Sequence, residues 1–213
     1  MTAQSENALT PKLIGAGGIA NVVGGICVAA AYVLHPPEAK PEIVASGLWA
    51  VVHILFMISL LGGVFALFAF LCSYVRNGGT ILGVVGCCMA ILSLIMIFGL
   101  DYAEVFIFPT LAVDFPEVIL KYGDGTMMPS IAFAFPASGI LFLLGYLLLS
   151  NELRKLKCVS ARSAIALMVG TVVFGAGLSG FLPMIVVQIG AVLFGVGLVW
   201  SGFSLFKNST QGA

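Results

Sequence analysis

Charge is what this chain has least of. Lys, Arg, Asp and Glu together make up 8% of its 213 residues, against about 25% in soluble domains. So few charges cannot cover a water-facing surface. With 61% hydrophobic residues and a mean hydropathy of +1.16, the solvent for most of the chain is lipid. The nine basic and nine acidic residues cancel, which argues against nucleic acid as an electrostatically captured partner.

Cysteine offers no framework either. The five are an odd number: Cys27, Cys72, Cys87 and Cys88 fall in apolar runs and Cys158 in a basic loop, so structural disulfides are not expected. Also missing are a phosphate loop, HExxH, paired CxxC, a nucleophile elbow and a dinucleotide fingerprint. The expectation is a non-enzyme with no catalytic residue, no bound metal and no cofactor.

What is present is a set of apolar runs. About 20 residues are needed to cross a hydrocarbon core of roughly 30 Å at 1.5 Å per residue. Six runs qualify, approximately Leu13–Leu34, Gly47–Tyr74, Thr80–Phe108, Met128–Leu149, Arg162–Gly180 and Met184–Phe206. The first is too long, and too weakly preceded by positive charge, for a cleaved signal peptide. The breaks carry turn chemistry: His35-Pro36-Pro37, Asn77-Gly78-Gly79, Gly123-Asp124-Gly125, the polar stretch Ser150–Ser160 and Gly180 to Pro183. The expected fold is all-α, a polytopic transmembrane helix bundle forming a single domain over residues 1–213. The match of Val51-Val52-His53-Ile54 with Val186-Val187-Gln188-Ile189 suggests three helical hairpins opening outward.

Orientation follows from Lys and Arg. Lys12, Arg76, Arg154, Lys155, Lys157, Arg162 and Lys207 fall on one side, and only Lys40 and Lys121 on the other. Both termini are therefore expected in the cytoplasm. In the longest outer connection, Pro116, Glu117 and Gly123 predict a short interfacial helix.

Small residues are patterned in the first span. Ala16, Ala20 and Gly24 repeat every four residues, as do Gly17, Asn21 and Gly25. In lipid such a face lets helix backbones approach closely, and Asn21 on it is expected to hydrogen-bond to a neighbouring helix. Through this face the chain would pack internally, bind another membrane protein or form a homo-oligomer.

The rare polar side chains gather near the outer ends of the spans: His35, His53, Asp101, Glu104 and Gln188. These include both histidines. Counting about 20 residues from the cytoplasmic boundaries reaches His53 in the second span and the neighbour of Asp101 in the third. A histidine and a carboxylate thus share one level, and a hydrogen bond between the two spans is expected. At that level a carboxylate costs far less than at a helix centre, so contact with headgroups or water would also account for it.

The His35-Pro36-Pro37 turn followed by Trp49 and His53 resembles a group of small, uncharacterised multipass membrane proteins of bacteria. The likeness extends over most of the chain as an arrangement of about six apolar runs. It implies a bacterial cytoplasmic (inner) membrane and carries neither an activity nor a site residue.

Together these features point to binding or transport of a small lipophilic molecule through an outer-side polar pocket between the first three spans. Two alternatives stand beside it. One is a membrane redox protein holding haem through His35 and His53. The other is a non-catalytic accessory subunit of a membrane complex.

Overall fold

A computed structural model of the chain describes residues 3–37, 39–123, 127–178 and 182–211. Among the described residues every regular element is helical. The long helices are α1 (Ala3–Leu34), α3 (Gly47–Arg76), α4 (Ile81–Phe106), α7 (Pro129–Lys155), α8 (Ala161–Gly177) and α9 (Met184–Gln211). Three short ones, α2 (Pro41–Val44), α5 (Phe108–Asp114) and α6 (Pro116–Tyr122), lie between them. By length and composition five segments can cross a membrane: Leu9–Leu34, Gly47–Arg76, Ile81–Asp114, Pro129–Lys155 and Met184–Ser209. The sixth expected span corresponds to the shorter apolar helix Ala161–Gly177.

The six long helices form a closed ring. Each packs on its neighbour in the order α1, α3, α4, α7, α8, α9, and α9 returns to α1. The hairpins α1/α3, α4/α7 and α8/α9 all turn at the same end, which is the three-hairpin arrangement expected from the repeated Val-Val-X-Ile pattern. Outward-facing apolar side chains such as Phe65, Ile81 and Phe133 are two-thirds or more exposed, as a lipid-facing surface requires.

Small residues hold the ring tight. A Cβ placed on Gly25 would lie 2.6 Å from the Gly195 carbonyl oxygen, and one on Gly145 would lie 2.5 Å from the Ala90 nitrogen. The α1/α9 and α4/α7 backbones are therefore in direct contact, as expected where packing drives association in lipid. The patterned residues of α1 divide between two neighbours. Gly17, Ala20 and Gly24 meet α3, while Gly25 and Asn21 meet α9. Ala16 is a correction, because it is exposed. Gly18 takes the inward place instead, a Cβ there meeting the Gly202 carbonyl oxygen at 2.8 Å. Each four-residue step turns a helix by about 40° past a full circle, so the four-residue series containing Ala16 drifts off the contact line. Asn21 is almost wholly buried, and its Nδ2 donates to the Leu198 carbonyl at 2.8 Å and to Ser201 Oγ at 3.0 Å. Apart from Ala16, the small-residue face of α1 thus packs on α3 and α9 within the chain.

One end of the ring is capped. Proline opens α2, α5, α6 and α7 there, where a missing N–H costs nothing. Val44, Trp49, Phe108, Ala112 and Ile119 pack into a small apolar cluster joining α2, α3, α5 and α6. The expected helix after Pro116 is α6, while α2 and α5 are additional. At the opposite, basic end, Tyr74 fills the turn between α3 and α4. Its hydroxyl donates to Glu152 Oε2 at 2.9 Å and accepts from the Thr80 N–H at 2.9 Å. Gly79 and Gly83 make room for its ring, since a Cβ on either would come within 2.4 Å of it.

Candidate functional site

Beneath the cap, α3 begins beside the end of α4, and this antiparallel pairing sets the site. Ser46 caps α3 by accepting from the Trp49 N–H at 3.3 Å. That fixes the first turns of α3 so that Trp49 and His53, four residues apart, share one face. Trp49 Nε1 donates to the Glu104 backbone carbonyl at 3.0 Å and His53 Nδ1 donates to Asp101 Oδ1 at 2.6 Å. The histidine–carboxylate bond expected between the two spans is therefore present, and Asp101 is the carboxylate that makes it.

The pair is well removed from water. His53 is 8% exposed and Asp101 4%. A short bond between a histidine and a carboxyl is among the stronger hydrogen bonds available, and it engages Nδ1 of His53, leaving Nε2 to face elsewhere. His53 Nε2, Asp101 Oδ2 and Glu104 Oε2 are buried without a hydrogen-bond partner among the described residues. Three unsatisfied atoms in one place are unusual in a packed protein.

His35, just past α1, completes an aromatic stack. Its ring lies 6.0 Å from Tyr32, 5.6 Å from Trp49 and 5.3 Å from His53, centroid to centroid, and Trp49 sits 4.6 Å from His53. His35 Nδ1 donates to the Pro36 carbonyl at 2.6 Å. Burial holds the His35 imidazole below its ordinary range, against the opposing pull of that carbonyl.

These groups line a cavity of about 720 Å³. His35, His53, Asp101 and Glu104 form its polar wall, and α7 supplies the opposite wall through Ile131, Ala132, Phe135 and Pro136. Pro136 has no N–H to give the Ala132 carbonyl, so the α7 ladder is broken where it borders the cavity. Tyr32, Phe56, Ile97, Phe135 and Pro136 also line a second cavity of about 440 Å³ on the ring axis. The two share a boundary. The lower chamber is bordered by Phe142, Tyr146, Phe174 and Phe194, whose rings pack on one another at 5.0–6.0 Å in edge-to-face, tilted and stacked pairs.

No family model, curated protein or solved structure matches this chain.

Four of the five polar residues expected to cluster do so: His35, His53, Asp101 and Glu104. Gln188 does not. It lies on α9, which packs on α1 and α8, and it lines neither cavity. The pocket also draws on the fourth span as well as the first three. The lower chamber was not foreseen, and its only sequence signal is Pro136 within an apolar run.

The geometry bears on cofactors. Two axial histidines must sit on opposite faces of a flat macrocycle. Here the His35 and His53 rings meet edge to face and Trp49 packs on both, which leaves no slot for a plate between them. Among the described residues no group of three or more His, Cys, Asp or Glu side chains is arranged to hold a metal.

Proposed function

We propose that this chain is a six-span membrane protein that takes up a small lipophilic molecule through the polar mouth of a central cavity. The observation that carries this reading is the adjacency of the two cavities: one with a buried polar wall borders an aromatic chamber on the ring axis, and Tyr32, Phe56, Ile97, Phe135 and Pro136 line both. Cavities of roughly 300–1,000 Å³, mostly apolar with a few convergent polar groups, are the usual form of a small-molecule site. Carboxylates and histidines at membrane depth are costly and mark functional pathways. Held at the outer end of a ring, such a site serves a binding protein, or a transporter whose weak point is the α7 break at Pro136.

In this reading both termini face the cytoplasm of a bacterial inner membrane, the seven basic residues at one end setting the orientation. The capped end then faces outward. Ala161–Gly177 rises about 26 Å, short of the roughly 30 Å core, a mismatch that local thinning of the bilayer absorbs.

The test is recovery of what the cavity holds. The full chain is extracted into polymer-bounded native discs, and bound small molecules are compared by mass spectrometry with those of Ile97→Trp, which plugs the boundary between the two cavities. A lipophilic species enriched in the unmodified protein and depleted in the variant supports uptake. Identical profiles from both would overturn it, as would reporter tags placing either terminus outside for the orientation.

A further inference from the structure

We propose that the ligand is a lipophilic amine, its protonated nitrogen held by His53, Asp101 and Glu104 and its apolar part in the aromatic chamber. This rests on the cavity being a ligand site and adds the chemical class. The unsatisfied atoms carry the argument. Asp101 Oδ2 and Glu104 Oε2 are carboxyl oxygens, and His53, its Nδ1 engaged by Asp101, presents Nε2, which accepts when the ring is neutral. The Ala132 carbonyl, deprived of a donor by Pro136, adds a fourth acceptor to the same lining.

A wall of acceptors asks for a ligand that brings donors. A protonated amine brings up to three. Nothing in the lining suits an anion: it contains two carboxyls and two imidazoles and neither Lys nor Arg. A carboxylate or phosphate head would face two carboxyl groups with no Lys or Arg beside them, an arrangement that disfavours such a ligand. Tyr32, Phe56, Phe108 and Phe135 border the same space and offer aromatic faces to a cation.

The distances give the molecule its shape. On α4, Ile97 lies one turn, about 6 Å, below Asp101, and Leu94 about 10 Å below. On α7, Tyr146 lies about 15 Å beyond Pro136. The acceptors are at one end of the combined space and the aromatic chamber at the other, so the ligand is a molecule with a nitrogen head and an apolar body.

The experiment uses the full chain in nanodiscs of zwitterionic lipid and three diazirine-bearing decyl probes that differ only in the head: primary amine, alcohol and carboxylate. Labelled positions are read by peptide mass spectrometry. The amine is expected to label the α4 and α7 segments around Leu94 and Tyr146 about tenfold more than either other probe, the scale of a charge-assisted hydrogen bond. Glu104→Gln combined with Asp101→Asn should lower the amine signal by about tenfold and leave the alcohol signal unchanged. Labelling by alcohol or carboxylate equal to or above the amine would overturn the amine assignment while leaving the cavity as a ligand site. Absence of any label in the chamber would sink both. If the double variant does not fold, the ranking of the probes on the unmodified protein decides by itself, with unlabelled decylamine as competitor.

Discussion

Replacing His53 and Asp101 by leucine, singly and together, separates glue from function. Both side chains are buried and each has an atom without a partner. Asp101→Leu leaves both ring nitrogens of His53 unpaired. His53→Leu leaves a buried carboxyl with no partner in place of a half-satisfied one. Either change is expected to cost about 2 kcal/mol, the penalty for orphaning a buried polar group. The double variant removes both groups together with their desolvation, and buried pairs replaced by apolar residues of similar volume are often neutral or stabilising. Its stability should therefore lie within about 1 kcal/mol of the unmodified chain, a coupling of at least about 3 kcal/mol between the sites. Reversible unfolding in mixed micelles, followed by helical circular dichroism, reads all four proteins. Single losses that simply add in the double variant would refute the reasoning, because the pair would then be stabilising in its own right. If the coupling is as large as expected, the dyad is kept for what it binds, and the double variant should be as stable as the parent yet unable to retain ligand.

Other perturbations test the frame around it. Gly195→Ala drives a Cβ to 2.4 Å from the Gly25 carbonyl oxygen and should lower stability by about 1–3 kcal/mol; Gly139→Ala, with nothing within 4 Å of the new atom, should be neutral in the same unfolding assay. Tyr74→Phe strips the acceptor from the Thr80 N–H and the donor from Glu152, and about 1–2 kcal/mol should be lost in that assay. Burial pushes the Cys158 thiol up from its ordinary range, so a water-soluble maleimide should spare it in the folded protein and modify it after denaturation. His35 is held below its ordinary range, so folding disfavours its protonation. Stability is full above the unperturbed imidazole value of about 6.5 and is lost as pH falls through the lowered one; thermal melts of His35→Gln should lack that portion of the acid dependence.

The level of the site was legible in the residues, because helix rise is fixed. Counting from Ser73 and from Ile81 reaches His53 and the neighbour of Asp101, and the two do bond. Asn21 was legible for a related reason, since a buried amide in lipid needs a partner and α9 supplies one. What run lengths do not encode is rotation and neighbour order. Ala16 looked inward by spacing and faces out, while Gly18 took its place. Gln188 shares a depth with His53 but belongs to a helix on another side of the ring. The aromatic chamber was invisible for the same reason: Tyr32, Phe56, Phe142, Tyr146, Phe174 and Phe194 come from five different runs, and only the closure of the ring brings them to one axis.

Ring closure also has a temporal side. The contact that seals α1 to α9 joins residues 177 positions apart, Asn21 to Leu198. At about 5–20 residues per second, α1 waits roughly ten seconds or more in the bilayer before its second neighbour is made. Through that interval an amide and a row of glycines look out on lipid, a half-finished surface that another nascent helix or a quality-control factor can find. A ribosome stalled after α8 would leave behind five fitted helices and one unguarded seam.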